Sequence, residues 1–368
     1  MAQPIYVPVL KGKEGEFAAL EVLKNDVRQT LMPLIEVPAV PYDYVNERPA
    51  RSLDEHVSGI AARVKKAWHN APFYLDLPWF GSEETLTDGR VAIEQVLADC
   101  RSSDLHAVPV ISRRNSSDYL DAAGRHATRH HRPKEISGAC LRLTVEDFEE
   151  DVDLVEEVNK LSRNLNLSDL SLLDLVLDLE DLGTDDGKAV LIARSVFSMI
   201  PMKDKWRRII LVGTSFPEDL RDVEASDTTK LPRREWTLWK TLQKRLNTLP
   251  RRDLVFGDYG IANPTQKELD PRVMLMSANI RYTTPQNWLI LKGRNVRQYG
   301  FEQFFELCKE LVEMEDYRGP DFSWGDLYIS DCAAGITGPG NATTWRKVGT
   351  NHHITLVAKQ LANSIHGS

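Results

Sequence analysis

Eight short apolar runs, separated by longer amphipathic segments, constrain this sequence more than any other feature in it. They are Ile5 to Leu10, Met32 to Val37, Pro72 to Leu77, Ala107 to Ser112, Ala139 to Leu143, Leu173 to Leu179, Arg208 to Gly213 and Leu254 to Gly257. Each is too short for a helix and nearly continuous in apolar character, as a strand buried on both faces must be. The segments between them have helical periodicity. Leu53 to His69, for example, sets Val57, Ile60, Ala61, Val64 and Trp68 at spacings of three and four. The same holds for Glu14 to Thr30, Glu83 to Arg101, Val145 to Leu165, Gly187 to Ile200 and Arg233 to Leu249, and least clearly for the His- and Arg-rich stretch Asn115 to Pro133. Eight βα units in series predict an α/β protein, either a closed (β/α)8 TIM-like barrel or a long open doubly wound sheet. The count of eight favours the barrel, as does the lack of a Gly-rich dinucleotide fingerprint after the first run.

After the eighth run the pattern changes. Ser277 to Thr283 and Asn287 to Lys292 flank the turn Thr284-Pro285-Gln286 and predict a β-hairpin inserted after strand eight. Phe301 to Glu315 is amphipathic and reads as the eighth barrel helix. The tail is Gly-rich and ends in a short helix near His353 to Ile365. The expected organisation is therefore a barrel over residues 1–315, with the hairpin insertion at about 258–300. A C-terminal extension, 316–368, would pack on it.

The formal charge of −8 argues against a protein that coats nucleic acid non-specifically. No basic leader precedes the first run and no apolar stretch reaches membrane-spanning length, so a cytoplasmic chain with no membrane partner is expected. The four cysteines, Cys100, Cys140, Cys308 and Cys332, have no metal-ligand spacing and read as buried thiols in a reducing compartment.

In such a barrel the strand C-termini form the working face. In order they carry Lys11 and Lys13, Glu36, Asp76, Arg113 and Arg114, Arg142, Asp178 and Glu180, Thr214 and Ser215, and Asp258 and Tyr259. The hairpin adds Arg281, Tyr282, Lys292 and Arg294. Ionisable groups at the ends of buried strands cost free energy unless paired or used. Glu36, Asp76 and Asp178 are the candidate catalytic carboxylates, and with Asp258 they could cage Mg2+ or Mn2+. Lys11, Arg142, Arg281 and Lys292 would then hold phosphate oxygens, a combination suited to phosphoester hydrolysis. The competing reading is a self-satisfied ion-pair network, such as Lys11 with Glu36 or Arg142 with Asp178. A carboxylate pair could also cleave glycosides, but only Trp79 and Phe80 offer a sugar platform.

Weaker signals read as structural. The pairs His130-His131 and His352-His353 lack the i,i+4 spacing of helical metal sites and suit solvated or capping roles. The Gly338-Pro339-Gly340 loop lacks the ending of a phosphate loop and reads as a turn. The basic stretch with Arg113, Arg114, Arg125, Arg129 and Arg132 reads as a solvated face.

Three segments carry a family resemblance: Tyr6-Val-Pro-Val-Leu-Lys-Gly-Lys-Glu-Gly-Glu-Phe, Met32-Pro-Leu-Ile-Glu-Val-Pro, and Asn341-Ala-Thr-Thr-Trp-Arg with Asn351-His-His-Ile. The chain resembles the phage-type beta protein family over nearly its whole length. The resemblance implies a phage or bacterial setting and a part in conflict between the two, but no reaction. It draws attention to Lys11, Glu36, Trp345, Arg346, His352 and His353. Two functions follow as expectations. One is a metal-dependent phosphoester hydrolase acting on a nucleotide, nucleic acid or phosphorylated small molecule. The other is a non-enzymatic protein of phage defence or counter-defence that binds phage or host partners.

Overall fold

A computed structural model of the chain describes residues 4–80, 84–129, 136–148, 152–167, 169–225, 227–245, 254–265 and 276–366. The expectations for His130, His131 and Arg132 lie outside these residues. Thirteen strands occur among them: β1 Tyr6–Leu10, β2 Leu34–Glu36, β3 Tyr42–Asp43, β4 Arg48–Pro49, β5 Phe73–Asp76, β6 Ala107–Ile111, β7 Ala139–Thr144, β8 Leu173–Asp181, β9 Arg208–Thr214, β10 Asp227–Pro232, β11 Val255–Asp258, β12 Ser277–Thr283 and β13 Asn287–Asn295. Eight of them close a parallel barrel in the order β1-β11-β9-β8-β7-β6-β5-β2. These are the eight apolar runs.

Residue parity divides each barrel strand. Val7, Val9, Leu34, Tyr74, Val108, Val110, Cys140, Val176, Ile210 and Val212 share one buried cluster, the barrel interior. Alternate residues such as Tyr6, Leu10, Ile35, Phe73, Leu75 and Leu177 join the larger cluster beneath the helices. The helices start on local chemistry. Ser52 Oγ accepts from Glu55 N at 3.2 Å, and Glu55 Oε2 accepts from Ser52 N at 3.0 Å, a reciprocal cap on Leu53–Ser58. All four cysteines are buried free thiols.

The predicted hairpin is present as β12 and β13, but it belongs to a three-stranded antiparallel sheet, β10-β13-β12. The third strand comes from the connection after β9 and pairs Asp227 with Lys292 through to Pro232 with Asn287. Its short sequence ends in Pro232, which disguised it as loop.

The eighth barrel helix is a second correction. The helix Gln303–Val312 turns Phe304, Leu307, Cys308 and Leu311 toward Ala278, Ile280 and Leu291 of the appended sheet. The helix on the barrel is instead Ala342–His366, 25 residues long, which puts Ile354, Val357, Ala358 and Leu361 into the main core. It also gives Trp345 and Val348 to the core of the appended sheet. A helix packed on two sides has no single apolar stripe, so periodicity foretold only its last turns. The close packing is visible at Gly349, where a Cβ would come within 2.6 Å of Ile261 Cδ1 and 3.0 Å of Arg281 O.

Candidate functional site

Inward parity brings Glu36, Asp76, Arg142 and Asp178 together at the C-terminal mouth of the barrel. They converge on the arginine. Arg142 Nη1 donates to Glu36 Oε1 at 2.8 Å and to Asp76 Oδ2 at 2.6 Å. Its Nε and Nη2 donate to Asp178 Oδ2 at 2.9 and 2.6 Å, and Nη2 also donates to Tyr259 Oη at 2.7 Å. A guanidinium has five N–H groups, and all five are taken here. Arg142 therefore has no donor left to clamp a phosphate, contrary to the sequence expectation. Burial raises the Asp76 carboxyl to about 6, against the opposing pull of Arg142 and with further upward pressure from Glu36. Glu36 is buried, and its Oε2 has no hydrogen-bond partner among the described residues.

Two further expectations for this mouth are corrected. Asp258 has the outward parity of Phe256 and leaves the other carboxylates. It accepts from Tyr6 Oη at 2.6 Å, from Gly260 N at 3.0 Å and from His353 Nε2 at 2.9 Å. Burial would raise its carboxyl, but the His353 pairing holds it below the ordinary range. Lys292 sits on the appended sheet and donates to Leu220 O at 2.7 Å and Val223 O at 2.5 Å, tying down the connection after β9. Among the described residues no group of three His, Cys, Asp or Glu side chains is placed to hold a metal ion. Asp174 closes the opposite pole, accepting from Tyr74 Oη at 2.7 Å and from Arg207 Nε and Nη2 at 2.8 and 2.6 Å.

The other two expected anion ligands, Lys11 and Arg281, meet in a different place. A cavity of about 200 Å3 beside the mouth is lined by Lys11, Lys13, Glu16, Glu218, Asp219, Arg221, Asn263, Thr265, Arg281 and Arg346, among others. Five cations face three carboxylates. Arg221 is neutralised by Asp219 at 3.2 Å. Arg281 donates Nη1 to Ile261 O at 2.9 Å and Nε to Asn279 Oδ1 at 3.1 Å, and stacks 5.0 Å from the Phe216 ring centroid. None of Lys11, Lys13, Arg281 and Arg346 forms an ion pair with a described residue; Lys11 Nζ donates to Pro264 O. Desolvation and then Arg346 depress Arg281 to about 9, still cationic at neutral pH. Desolvation, followed by Arg346, also lowers Lys13.

Two helix starts frame this cavity. Lys13 is the N-cap of Glu14–Glu21, and Arg346 lies in the second turn of Ala342–His366. The two helices touch at Gly15, where a Cβ would lie 2.7 Å from Arg346 Cβ. Cations near helix N-termini add to positive dipole ends instead of offsetting them. Glu14 and Glu16 offset the dipole of the first helix, but the cavity still carries more cations than carboxylates, an excess of positive charge at one pole of the barrel.

Sequence reasoning found Lys11 and Arg281. Lys13 was visible only as a strand-end cation, and Arg346 only through the family motif. The pair His352-His353 was misread as solvated or capping. His352 and His353 are both fully buried. His352 bonds Asp326 Oδ2 at 2.8 Å and Thr283 O at 2.7 Å, and His353 bonds Thr283 Oγ1 at 2.9 Å as well as Asp258. In the basic stretch, the exposed Arg114 pairs with Glu146 at 2.9 Å and the exposed Arg125 with Glu94 at 3.1 Å.

Fold and site together define a closed (β/α)8 barrel with an appended antiparallel sheet, an internally neutralised acidic mouth and a basic cavity beside it. The chain belongs to the Beta protein family, which matches residues 6–359. No curated protein matches it. Among solved structures it is similar to tryptophan synthase from M. tuberculosis, in an open form with BRD0059 bound. That similarity is 10% identity over 58% of this chain and 84% of the other, with a TM-score of 0.25, too distant to bear on function.

Proposed function

We propose that this barrel binds a phosphorylated small molecule at its C-terminal face, with the phosphate held by Lys11, Lys13, Arg281 and Arg346. The observation that carries the reading is the lining of one cavity by four cations that lack ion-pair partners among the described residues. An unpaired cation cluster costs free energy unless an anion completes it. The location agrees, because barrels of this class commonly hold phosphate at the loops after strands seven and eight, next to a helix N-terminus. Pro217 to Arg221 follow β9, Ala262 to Thr265 follow β11, and the start of Ala342–His366 lies alongside.

Calorimetric titration of the purified chain with inorganic phosphate and with a phosphomonoester tests this. Saturable binding that weakens as salt rises is expected, with loss of about tenfold or more in Arg281→Ala or Arg346→Ala. Equal affinity in a folded double variant would sink the reading.

A second reading, that the bound ligand is also turned over, is favoured by one observation. Glu36 has an unpartnered carboxylate oxygen at the mouth, next to Asp76, which titrates at about 6. A carboxyl tuned to that range suits general acid–base work on a phosphoester. Mg2+ or Mn2+ catalysis would require Glu36, Asp76 and Asp178 to release Arg142 first. Phosphomonoester hydrolysis, assayed with and without Mn2+, should then fall sharply in Glu36→Gln. Unchanged turnover in that variant excludes Glu36 from the chemistry.

A further inference from the structure

A second cavity, of about 770 Å3, opens on the same face and shares Thr265 with the basic one. Its wall is drawn from several strand ends: Trp79 beyond β5, Val145 beyond β7, Leu179 to Asp185 at the end of β8, and Pro264 beyond β11. Its charge balance is the reverse of its neighbour's, with Leu179, Leu182 and Ile192 alongside three carboxylates, Glu180, Asp181 and Asp185, and one cation, Lys188. Two of those carboxylates are committed. Asp181 accepts from Asn263 Nδ2 at 2.9 Å and from Gly183 N at 2.8 Å, and Asp185 caps the helix Asp186–Met199 through Lys188 N at 3.0 Å. The Glu180 carboxylate has no hydrogen bond or ion pair among the described residues, and its backbone is held at φ 53°. That left-handed conformation sits at the register shift between Asp178 and Asp181, with Glu180 N bonded to Asp178 Oδ1 at 2.9 Å. A glutamate forced into this region stores strain at the rim of a cavity, where strain commonly marks a site.

We infer that this second cavity receives the base of a nucleotide whose phosphate occupies the basic cavity, an inference that rests on the phosphate reading above. The volume lies in the range of small-molecule sites. Trp79, 39% exposed, supplies an aromatic wall on which a base can stack, while its neighbour Phe80 turns away to the His56 ring at 6.2 Å. Glu180 supplies an acceptor for an exocyclic amine, as carboxylates do for amine-bearing bases. Charge fixes the orientation: a phosphate is repelled from Glu180 and drawn to Arg281 and Arg346, so the ligand spans Thr265 in one direction only. A plain sugar phosphate would leave both the indole and the acidic acceptor without a partner.

Calorimetry of the full chain with CMP, AMP, UMP, ribose 5-phosphate and inorganic phosphate tests the assignment. CMP and AMP should bind about tenfold tighter than ribose 5-phosphate, and Trp79→Ala should remove about that factor while leaving inorganic phosphate unchanged. Glu180→Ala should erase any preference for CMP over UMP. Phosphate binding with no gain from the base, or a Trp79→Ala variant with full CMP affinity, overturns this inference and leaves the phosphate site standing. Failure of all five ligands overturns both.

Discussion

Arg142 shows how one residue decides what the barrel mouth can do. Three carboxylates, two on the adjacent strands β2 and β5 and one across the barrel mouth on β8, would repel one another in a buried space, and the guanidinium at their centre makes the arrangement stable. Removing one partner of a buried ionic cluster costs about 3–5 kcal/mol, because the remaining charges are left unpaired. Arg142→Leu should therefore lower the unfolding free energy by about that much at pH 7. The deficit should shrink at pH 5, where the stranded carboxylates can take up protons; urea titrations at both pH values check this. Asp76 gives a second pH signature. Its folded carboxyl sits at about 6, above the ordinary value of 3.8, so the folded chain holds a proton the unfolded chain has already released. Stability from this group is intact below about pH 4 and is lost as pH rises through 6, a change on the order of 3 kcal/mol. Relative to Asp76→Asn, the natural chain should lose that much between pH 4 and 7. Parallel stability curves for the two proteins would refute the assignment.

Elements carry the next level of the argument, and the helix Ala342–His366 bears the most. It fastens the barrel to the appended sheet through consecutive buried histidines, His353 toward Asp258 and His352 toward Asp326. Burial, partly offset by Asp258, keeps His353 below its ordinary value, so the neutral ring donates Nε2–H to Asp258 and accepts from Thr283 at Nδ1. His353→Ala would leave the Asp258 carboxylate buried with only Tyr6 and Gly260 N as donors, at a cost of about 3 kcal/mol or more. A lowered melting temperature in calorimetry is the expected result, with Asp258→Asn partly restoring it in the double variant. None of this could be read from the sequence pair alone. Adjacent histidines 100° apart on a helix face different neighbours, and those neighbours, Asp258 and Asp326, are 95 and 26 residues away. The barrel strands were legible for the opposite reason, since continuous burial leaves its mark within five or six consecutive residues.

At the scale of the molecule, the mouth was legible in its residues and illegible in its pairing. Strand-end position and parity named Glu36, Asp76, Arg142 and Asp178, but the same charges can cage a metal or an arginine. Only the register decides between them. Asp258 and Lys292 were misplaced because one faces outward and the other belongs to a sheet completed by a strand from elsewhere in the chain. The eighth helix was misassigned because contact order in sequence gave way to contact in space: the chain builds the appended sheet first and returns to close the barrel with its last helix. That return makes a sharp prediction for a chain ending at residue 341. It would lose Ile354, Val357, Ala358 and Leu361 from the main core, a transfer term of roughly 4–10 kcal/mol. Whole domains are stable by only about 5–15 kcal/mol. The exposed flank of Glu14–Glu21, stripped of its partner helix, adds to the loss. The truncated protein should therefore show no cooperative thermal transition and should bind ANS, whereas a chain cut after residue 366 should melt as the full protein does. A cooperative transition in the shorter chain would mean that the barrel closes with seven helices and that the C-terminal helix is an attachment to it.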